Sequence, residues 1–345
     1  MSTEENIQDR IVNEMNDLQG ERAAVRYPPL PRGAGLREKF MYLVALTGVD
    51  LIALIAMTIM LVGTVLAMGR PIRFFQASVG FPLGIMAGVL LVKFIQRPRD
   101  IMITAPTVLR DWVPFLFINF IYENMHDVAG HVMKFDIAHF LYDWDVAIFG
   151  VEPTLWMEQF YTPLLTDYMA FAYALYFVFA LVLMFFLSLH GHRRAFRHIA
   201  MALTFSFIMG FLGYIFFPCS PPRYAITEMF TTGALHGPIL YDRLQAMWDG
   251  FSVVGGGAFP SLHVGISSVA LIYAWKYRYF SRLYQVLFYI YIPLVVSLWI
   301  STVYLRHHWV IDIFAGWAVA YIGYRLADLS LRKWNRLRRR FAFPL

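Results

Sequence analysis

The sequence predicts an all-α protein, a polytopic bundle of about eight transmembrane helices with both termini in the cytoplasm. Three observations support this prediction. Apolar residues make up 59% of the 345-residue chain and charged residues only 15%, whereas soluble domains carry about a quarter charged residues. The apolar residues fall in runs of about 20, the length that crosses a bilayer as a helix. The basic residues cluster between those runs, as they do in membrane proteins.

Six segments are long and apolar enough to be spanning helices, and two more are shorter or partly polar. The six are residues 40–68, 74–95, 164–189, 199–217, 283–303 and 310–329. The segment 259–275 is shorter and qualifies if its polar start lies at the membrane interface. The segment 112–132 is apolar in its first half and carries acids and histidines in its second half.

The charges between the spans test the number eight, because lysine and arginine concentrate on the cytoplasmic side of membrane proteins. With eight spans, the basic clusters at 93–110, 192–197, 276–282 and 332–340 all lie on the side of both termini. The segment 136–167 contains acids but no lysine or arginine, and it falls outside. The same clustering favours membrane topology over nucleic acid as the reason for the net charge of +6.

We divide the chain into a polar cytosolic tail at 1–39, one transmembrane catalytic domain at 40–329 and a basic cytosolic tail at 330–345. The catalytic core of the domain is expected at 164–329. The segment 135–160 is amphipathic and aromatic, so we expect it along the outer membrane surface. The single cysteine, Cys219, excludes an internal disulfide.

Three short stretches at the outer face carry the chemistry: residues 218–224, 257–263 and 304–312. In the last of them, His308 and Asp312 are spaced i and i+4, which places them on one face of a helix. A carboxylate in that position can accept a hydrogen bond from one imidazole nitrogen and leave the other as an oriented nucleophile or base. The alternative is a structural histidine–aspartate pair that holds helices together.

His263 follows Pro260 and Ser261 at a predicted helix start, where free backbone N–H groups favour an anion. A histidine beside such a site could protonate a leaving oxygen, although an interfacial histidine without a catalytic role is the alternative. Arg223 and Arg306 could bind phosphate oxygens, with Ser261 beside them. Each arginine could instead anchor the chain at the lipid headgroups.

A polar stripe lies in the partly polar span. Its members share one helical face near the outer side: Asn119, Glu123, Asp127 and His131. The stripe could hydrogen-bond a polyol headgroup or the acceptor of a transfer reaction. Hydrogen bonding between helices and a carboxylate–histidine metal site are the alternatives.

These motifs resemble those of the type 2 phosphatidic acid phosphatase superfamily. The resemblance rests on Pro260-Ser261-Leu262-His263, on His308 and Asp312 with three residues between them, and on Arg223 upstream. It covers about 164–329 and is closest to the inositol phosphorylceramide synthase-like branch with its bacterial relatives. It implies that His308 is the nucleophile, that Asp312 is its partner and that His263 is the acid for the leaving group. It also implies that Arg223 and Arg306 hold phosphate.

The sequence departs from the superfamily motifs at several positions. Phe216 and Tyr224 stand where the first motif has lysine and proline, and Leu262 stands at the glycine of the second. In the third motif Ser301 matches, but Thr302 replaces an arginine. The two missing cations count against a generic phosphatase and favour the synthase-like branch.

The predicted function is therefore that of a membrane lipid phosphotransferase acting through a phosphohistidine, without a metal or other cofactor. Its partners would be a lipid phosphoester and an alcohol or lipid acceptor. A lipid phosphate phosphatase is the alternative within the superfamily. A proton-coupled transporter or an inactive lipid-binding protein are alternatives of other classes. We expect a bacterial inner membrane protein with its active site on the outer face.

Overall fold

The computed structural model describes residues 33–47, Trp112, 135–251 and 257–341. These residues form eleven α-helices with two short 3-10 helices, and no β-strand occurs among them. The all-α prediction is confirmed for this part of the chain. The helices are α1 Leu36–Thr47, α2 Ala138–Phe149, α3 Pro153–Met157, α4 Pro163–Ala174, α5 Tyr176–Leu189, α6 Arg193–Phe216, α7 Pro222–Ala225, α8 Tyr241–Phe251, α9 Leu262–Tyr277, α10 Arg282–Tyr304 and α11 Val310–Arg340.

Three of these helices, α6, α10 and α11, are long and apolar enough to cross a membrane. The helices α4 and α5 add a fourth span if the pair counts as one span bent by 44°. The chain is an integral membrane protein. The predicted spans 74–95 and 112–132, and the part of 40–68 beyond α1, lie outside the described residues apart from Trp112. The number eight therefore stays a prediction.

Two of the predicted spans, 164–189 and 310–329, differ most from the helices that the structure contains. The predicted span 164–189 is divided at Leu175 into α4 and α5. The hydroxyl of Thr162 caps the start of α4, where Pro163 occupies a first-turn position that needs no N–H donor. The helix α11 continues to Arg340, through most of the segment 330–345 assigned to a basic tail.

The helix α9 lies at the centre of the bundle and packs against α5, α6, α10 and α11. Glycines allow α11 to approach its neighbours closely, as small residues do in membrane bundles. A Cβ atom on Gly316 would lie 2.7 Å from the carbonyl oxygen of Ser261 and 2.9 Å from the Cβ of Val264. A Cβ on Gly323 would lie 3.0 Å from the carbonyl oxygen of Ala202. Each neighbour would have to move to accept a larger side chain.

The Gly316→Ala variant should be less stable than wild type by about 1–3 kcal/mol, the usual cost of overpacking a tight core. The added methyl meets the backbone of α9, which cannot turn aside as a side chain can. Thermal unfolding of the full chain in detergent would measure the loss. Gly35→Ala is the control, because nothing lies within 4 Å of that position. Equal melting temperatures for the two variants would contradict the predicted contact.

At the end of the bundle where α9 and α11 begin, the loop before α8 is clasped by a carboxylate. Asp167 of α4 accepts hydrogen bonds from the backbone N–H groups of Ile239, Leu240 and Tyr241 at 2.9, 2.8 and 2.8 Å. Because Tyr241 is the first residue of α8, this clasp fixes α8 relative to α4. Trp248 of α8 also lies against Tyr173 of α4, with ring centroids 4.8 Å apart.

Candidate active site

His308 lies in the turn that joins α10 to α11. Its backbone N–H donates to the carbonyl oxygen of Thr302 at 3.0 Å, and its side chain is buried. The imidazole Nδ1 lies 2.9 Å from the carbonyl oxygen of Ala258. Because a carbonyl only accepts, Nδ1 carries a proton, and in the neutral ring the lone pair is left on Nε2. The fold thus selects the tautomer that a nucleophilic histidine needs.

Asp312 is the second acceptor for the same imidazole nitrogen, Nδ1. Its Oδ2 lies 3.3 Å from Nδ1 of His308 and accepts from the backbone N–H of Trp309 at 2.9 Å. The other oxygen, Oδ1, is buried and has no hydrogen-bond partner among the residues that the structure describes. The buried carboxylate can stabilise an imidazolium, or a phosphorylated imidazole, when positive charge develops on His308.

The predicted pairing of His308 with Asp312 is present, but its local geometry differs from the prediction. Both residues were expected on one helix face, whereas α11 begins only at Val310 and His308 precedes it. The carboxylate of Asp312 turns back to the backbone of Trp309, as in a capping box, and so reaches His308 from the first turn of the helix.

His263 faces the free nitrogen of His308. Its Nδ1 lies 3.4 Å from Nε2 of His308 and 3.4 Å from the hydroxyl of Tyr173. The rings of Tyr173 and Tyr176 lie against the imidazole, with centroids 4.1 and 4.2 Å away. As predicted, His263 lies at a helix start, as the second residue of α9. A proton on His263 would be next to any group that His308 attacks.

Ser261 joins the two helix starts on which the histidine pair depends. Its hydroxyl accepts from the backbone N–H of Val264 at 3.3 Å and caps α9. Its own backbone N–H donates to the carbonyl oxygen of Asp312 at 3.3 Å. The side chain is fully buried, so Ser261 could contact only a phosphate that is bound inside the site.

Arg223, the first of the two predicted phosphate ligands, lies on the short helix α7. Its backbone N–H donates to the carbonyl oxygen of Arg306 at 3.0 Å, which ties α7 to the turn that carries His308. The guanidinium makes one ion pair, with Asp249 at 3.3 Å, while Nε and Nη1 are buried without a hydrogen-bond partner in the described residues. About half of the Asp249 side chain is exposed, so an anion could replace it.

Arg306, the other predicted phosphate ligand, has its guanidinium in a buried internal network. It donates to Glu158 at 2.8 Å, to the hydroxyl of Thr232 at 2.6 Å and to the carbonyl oxygen of Gly233 at 2.7 Å. Its centre also lies 3.7 Å from the ring of Phe230. To bind phosphate, Arg306 would have to give up these partners. Its backbone has a positive φ of 62° at the turn before the histidines.

Glu158 and Asp145 are functional candidates that the sequence analysis missed. Glu158 accepts from Thr231, Thr232 and Arg306 and anchors the loop that contains the two threonines. Burial raises the pKa of Glu158, but the hydrogen bonds from Thr231 and Thr232 outweigh it and lower the pKa. Asp145 of α2 is fully buried. In the sequence these acids only marked the outer side of the membrane, because their partners are about 70 to 170 residues away.

Asp145 holds the start of the helix that bears Asp312. Its two oxygens accept from the backbone N–H groups of Val310 and Ile311 at 2.7 and 3.0 Å. Burial raises the pKa of Asp145 to about 7, although the two hydrogen bonds oppose that shift. The carboxyl group therefore satisfies two of the free N–H groups at this helix start and positions the first turn of α11.

The Asp145→Asn variant should lose about 1–3 kcal/mol of stability, the cost of a buried polar group left unpaired. Its amide nitrogen would face one of the two N–H groups that the carboxylate now accepts. Thermal unfolding in detergent would report the loss. The Asp143→Asn change on the same helix is the control, since Asp143 is exposed. A melting temperature for Asp145→Asn equal to the control would contradict this assignment.

The predicted polar stripe lies in a part of the chain that the structure does not describe. Asn119, Glu123, Asp127 and His131 lie outside the described residues. Their predicted contact with a headgroup or acceptor therefore stays a prediction.

The fold and the site together define an integral membrane protein whose buried histidine, backed by a carboxylate, faces a second histidine and lies near an arginine. This set of residues matches a known family. The chain belongs to the PAP2 superfamily, whose family model matches residues 139–326, more than half of the chain. The matched segment includes Arg223, His263, His308 and Asp312.

Curated relatives have more specific names. The chain is similar to a phosphoinositol dihydroceramide synthase of Bacteroides thetaiotaomicron, 30% identical over 154 residues, which cover 41% of this chain and 48% of the relative. It is 23% identical over 292 residues to an inositol phosphorylceramide synthase of Candida albicans, covering 72% of this chain and 57% of the relative. A catalytic subunit of that synthase from Schizosaccharomyces pombe is 34% identical over 142 residues, covering 37% of this chain and 32% of the relative.

The chain thus spans about half the length of the first two curated relatives. These similarities confirm the predicted resemblance to the inositol phosphorylceramide synthase-like branch. No solved structure matches the chain.

Proposed function

We propose that this protein is a membrane lipid phosphotransferase that moves a phosphoinositol headgroup from a glycerophospholipid to a ceramide-type alcohol. The observation that carries the proposal is the state of His308. Its Nδ1 proton is held by Ala258 and Asp312, so its lone pair on Nε2 points toward His263. The names of the curated relatives support the choice of headgroup and acceptor.

In the first step, Nε2 of His308 attacks phosphorus, and the phosphorus–oxygen bond to diacylglycerol breaks. An anionic phosphate favours the protonated form of His263, which gives its proton to the departing oxygen. Asp312 stabilises the positive charge on the imidazole of the phosphohistidine. In the second step, the acceptor hydroxyl attacks phosphorus, gives its proton to His263, and the phosphorus–nitrogen bond breaks.

Charge on the phosphoryl oxygens is offset by Arg223 and by the amides at the start of α9. The Nη1 of Arg223 pairs with the half-exposed Asp249 at 3.3 Å without hydrogen-bond geometry, and its Nε is buried with no hydrogen-bond partner in the described chain. Phosphate can take the place of Asp249 on this guanidinium with better geometry than a single ion pair. Ser261 and Arg306 are further phosphate contacts in this proposal, Arg306 after release from Glu158.

We place the site on the outer face of a bacterial inner membrane, within eight spans and with both termini in the cytoplasm. The basic clusters support this orientation, since those at 276–282 and 332–340 lie at the ends of α9 and α11 opposite to the histidine pair. The surface helices α2 and α3 expose Trp144 and Trp156, as expected of helices at a membrane interface. In this topology the stripe from Asn119 to His131 would contact the headgroup or the acceptor.

Product analysis of the detergent-purified full chain tests the proposal. The protein is given labelled phosphatidylinositol with and without a ceramide. A new inositol-containing sphingolipid that depends on ceramide, together with diacylglycerol, is the expected result. Diacylglycerol and inositol phosphate released equally with or without ceramide would make the protein a hydrolase of the lipid phosphodiester, with water as the acceptor. No product in either arm would refute the assigned donor.

A further inference from the structure

The mechanism leaves one polar group of the site without a role, the imidazole of His307. Only 7% of this residue is exposed, and its Nε2 is buried with no hydrogen-bond partner among the described residues. Buried polar atoms nearly always have partners in folded proteins, since leaving one unpaired is costly. An unpaired nitrogen next to a nucleophile is therefore a candidate ligand contact.

The ring of His307 is held in place on several sides. Its backbone N–H donates to the carbonyl oxygen of Thr302 at 3.0 Å. The ring stacks on Tyr173 with centroids 4.7 Å apart and meets Trp248 edge to face at 5.5 Å. Tyr173 also stacks on His263, so the same aromatic ring supports both histidines. His307 therefore belongs to the wall of the catalytic site, and its imidazole is held against rotation by its neighbours.

The chemistry of His307 suits a hydroxyl group. Burial lowers the pKa of His307 well below its ordinary value, and the charge of Arg223 lowers it further. A neutral imidazole has one donor and one acceptor nitrogen, and a hydroxyl can bond either. A phosphate oxygen only accepts, and Arg223 is the better partner for it because it is charged. The aromatic surroundings of His307 also favour an uncharged ligand group.

We propose that His307 hydrogen-bonds through Nε2 to a hydroxyl of the substrate's polyol headgroup and so determines headgroup specificity. The inference rests on the proposed function and adds to it the residue that distinguishes a polyol phosphodiester from a bare phosphate monoester. It requires no change in the reaction steps, because His307 touches the transferred group and not the reacting bonds.

Two variants separate the polar contact from the packing of the ring. His307→Phe keeps a ring between Tyr173 and Trp248 but removes both nitrogens. His307→Gln loses the ring but places an amide near the position of Nε2. Phosphatidylinositol and phosphatidic acid are compared as substrates of the full chain, because both release diacylglycerol and only the first has headgroup hydroxyls.

For His307→Phe, kcat/KM with phosphatidylinositol should fall at least about 10-fold, and with phosphatidic acid less than about 3-fold, as expected for a lost contact to a substrate hydroxyl. His307→Gln should recover part of the loss on phosphatidylinositol. Equal losses on both substrates, or none on phosphatidylinositol, would overturn the proposal.

Binding gives a test that does not require turnover. myo-Inositol 1-phosphate should raise the melting temperature of wild type more than that of His307→Phe, while inorganic phosphate should stabilise both equally. Should His307→Phe fail to fold, His307→Asn replaces it, since its shorter amide does not reach the Nε2 position. Equal stabilisation of wild type and variant by inositol phosphate, or none of wild type, would overturn the role of His307. Absence of lipid turnover by wild type would refute only the proposed function.

Discussion

The His308→Ala variant should turn over its phospholipid substrate about 10⁴-fold more slowly than wild type, because it lacks the atom that attacks phosphorus. The structure favours a large effect, since two acceptors, Ala258 and Asp312, hold the proton on Nδ1 of His308 and leave the lone pair on Nε2. Diacylglycerol release from labelled phosphatidylinositol would measure the rate. Label in the headgroup, trapped on the protein by rapid denaturation, should appear in wild type and be absent from the variant.

The matched control is His236→Ala in the loop before α8, where the histidine side chain is 70% exposed. It should retain nearly the wild-type rate. A His308→Ala protein with near-normal turnover would refute His308 as the nucleophile. Normal label on the protein in that variant would locate the covalent step at another residue.

The Asp312→Asn variant should lose about 10²-fold in turnover, the typical effect of removing one electrostatic contact to a charge that develops in the transition state. The loss should be smaller than for His308→Ala for a structural reason. The carbonyl oxygen of Ala258, 2.9 Å from Nδ1, is closer than Asp312 at 3.3 Å. The tautomer of His308 is thus kept in the variant, and only the stabilisation of positive charge is lost. Rates of diacylglycerol release would measure the effect.

Asp328→Asn on the same helix is the control for Asp312→Asn. Asp328 lies near the end of the predicted span 310–329 and pairs with Arg332 one turn further along α11. A loss of about 10⁴-fold in Asp312→Asn, the cost of a wrong tautomer, would show that Ala258 alone does not hold the proton on Nδ1. An unchanged rate would show that Asp312 acts only as a cap for α11.

Local sequence signals were sufficient to predict those parts of the site in which the interacting residues are close together in the chain. Ser261 caps α9 and His263 lies at its start, as the Pro260-Ser261 signal predicts. His308 and Asp312 meet because they are four residues apart, although α11 starts two residues after His308. The apolar runs predicted α6, α10 and α11 to within a few residues at most ends. Hydrophobic length and helix-capping chemistry are local properties, so a single sequence contains them.

Contacts between distant segments could not be predicted from the sequence. Arg306 looked like a phosphate ligand because its charge is next to the histidines, but Glu158, 148 residues earlier, holds its guanidinium. Nothing in the sequence indicated that Asp145 contacts the start of α11, because its partners Val310 and Ile311 are 165 and 166 positions away. His307 was passed over for the same reason, because its burial and its missing partner appear only once Tyr173 and Trp248 surround it.

The bend between α4 and α5 has a mechanical consequence. The helix α4 carries Tyr173, which lies against His263 and His307, and Asp167, which accepts a hydrogen bond from the first residue of α8. The 44° break follows directly after it, at Leu175. A tilt of α4 about that break would move Tyr173 and the helix α8 together, as one rigid unit. The packing of Tyr173 and of Trp248 in α8 against His307 would then change together, in one motion.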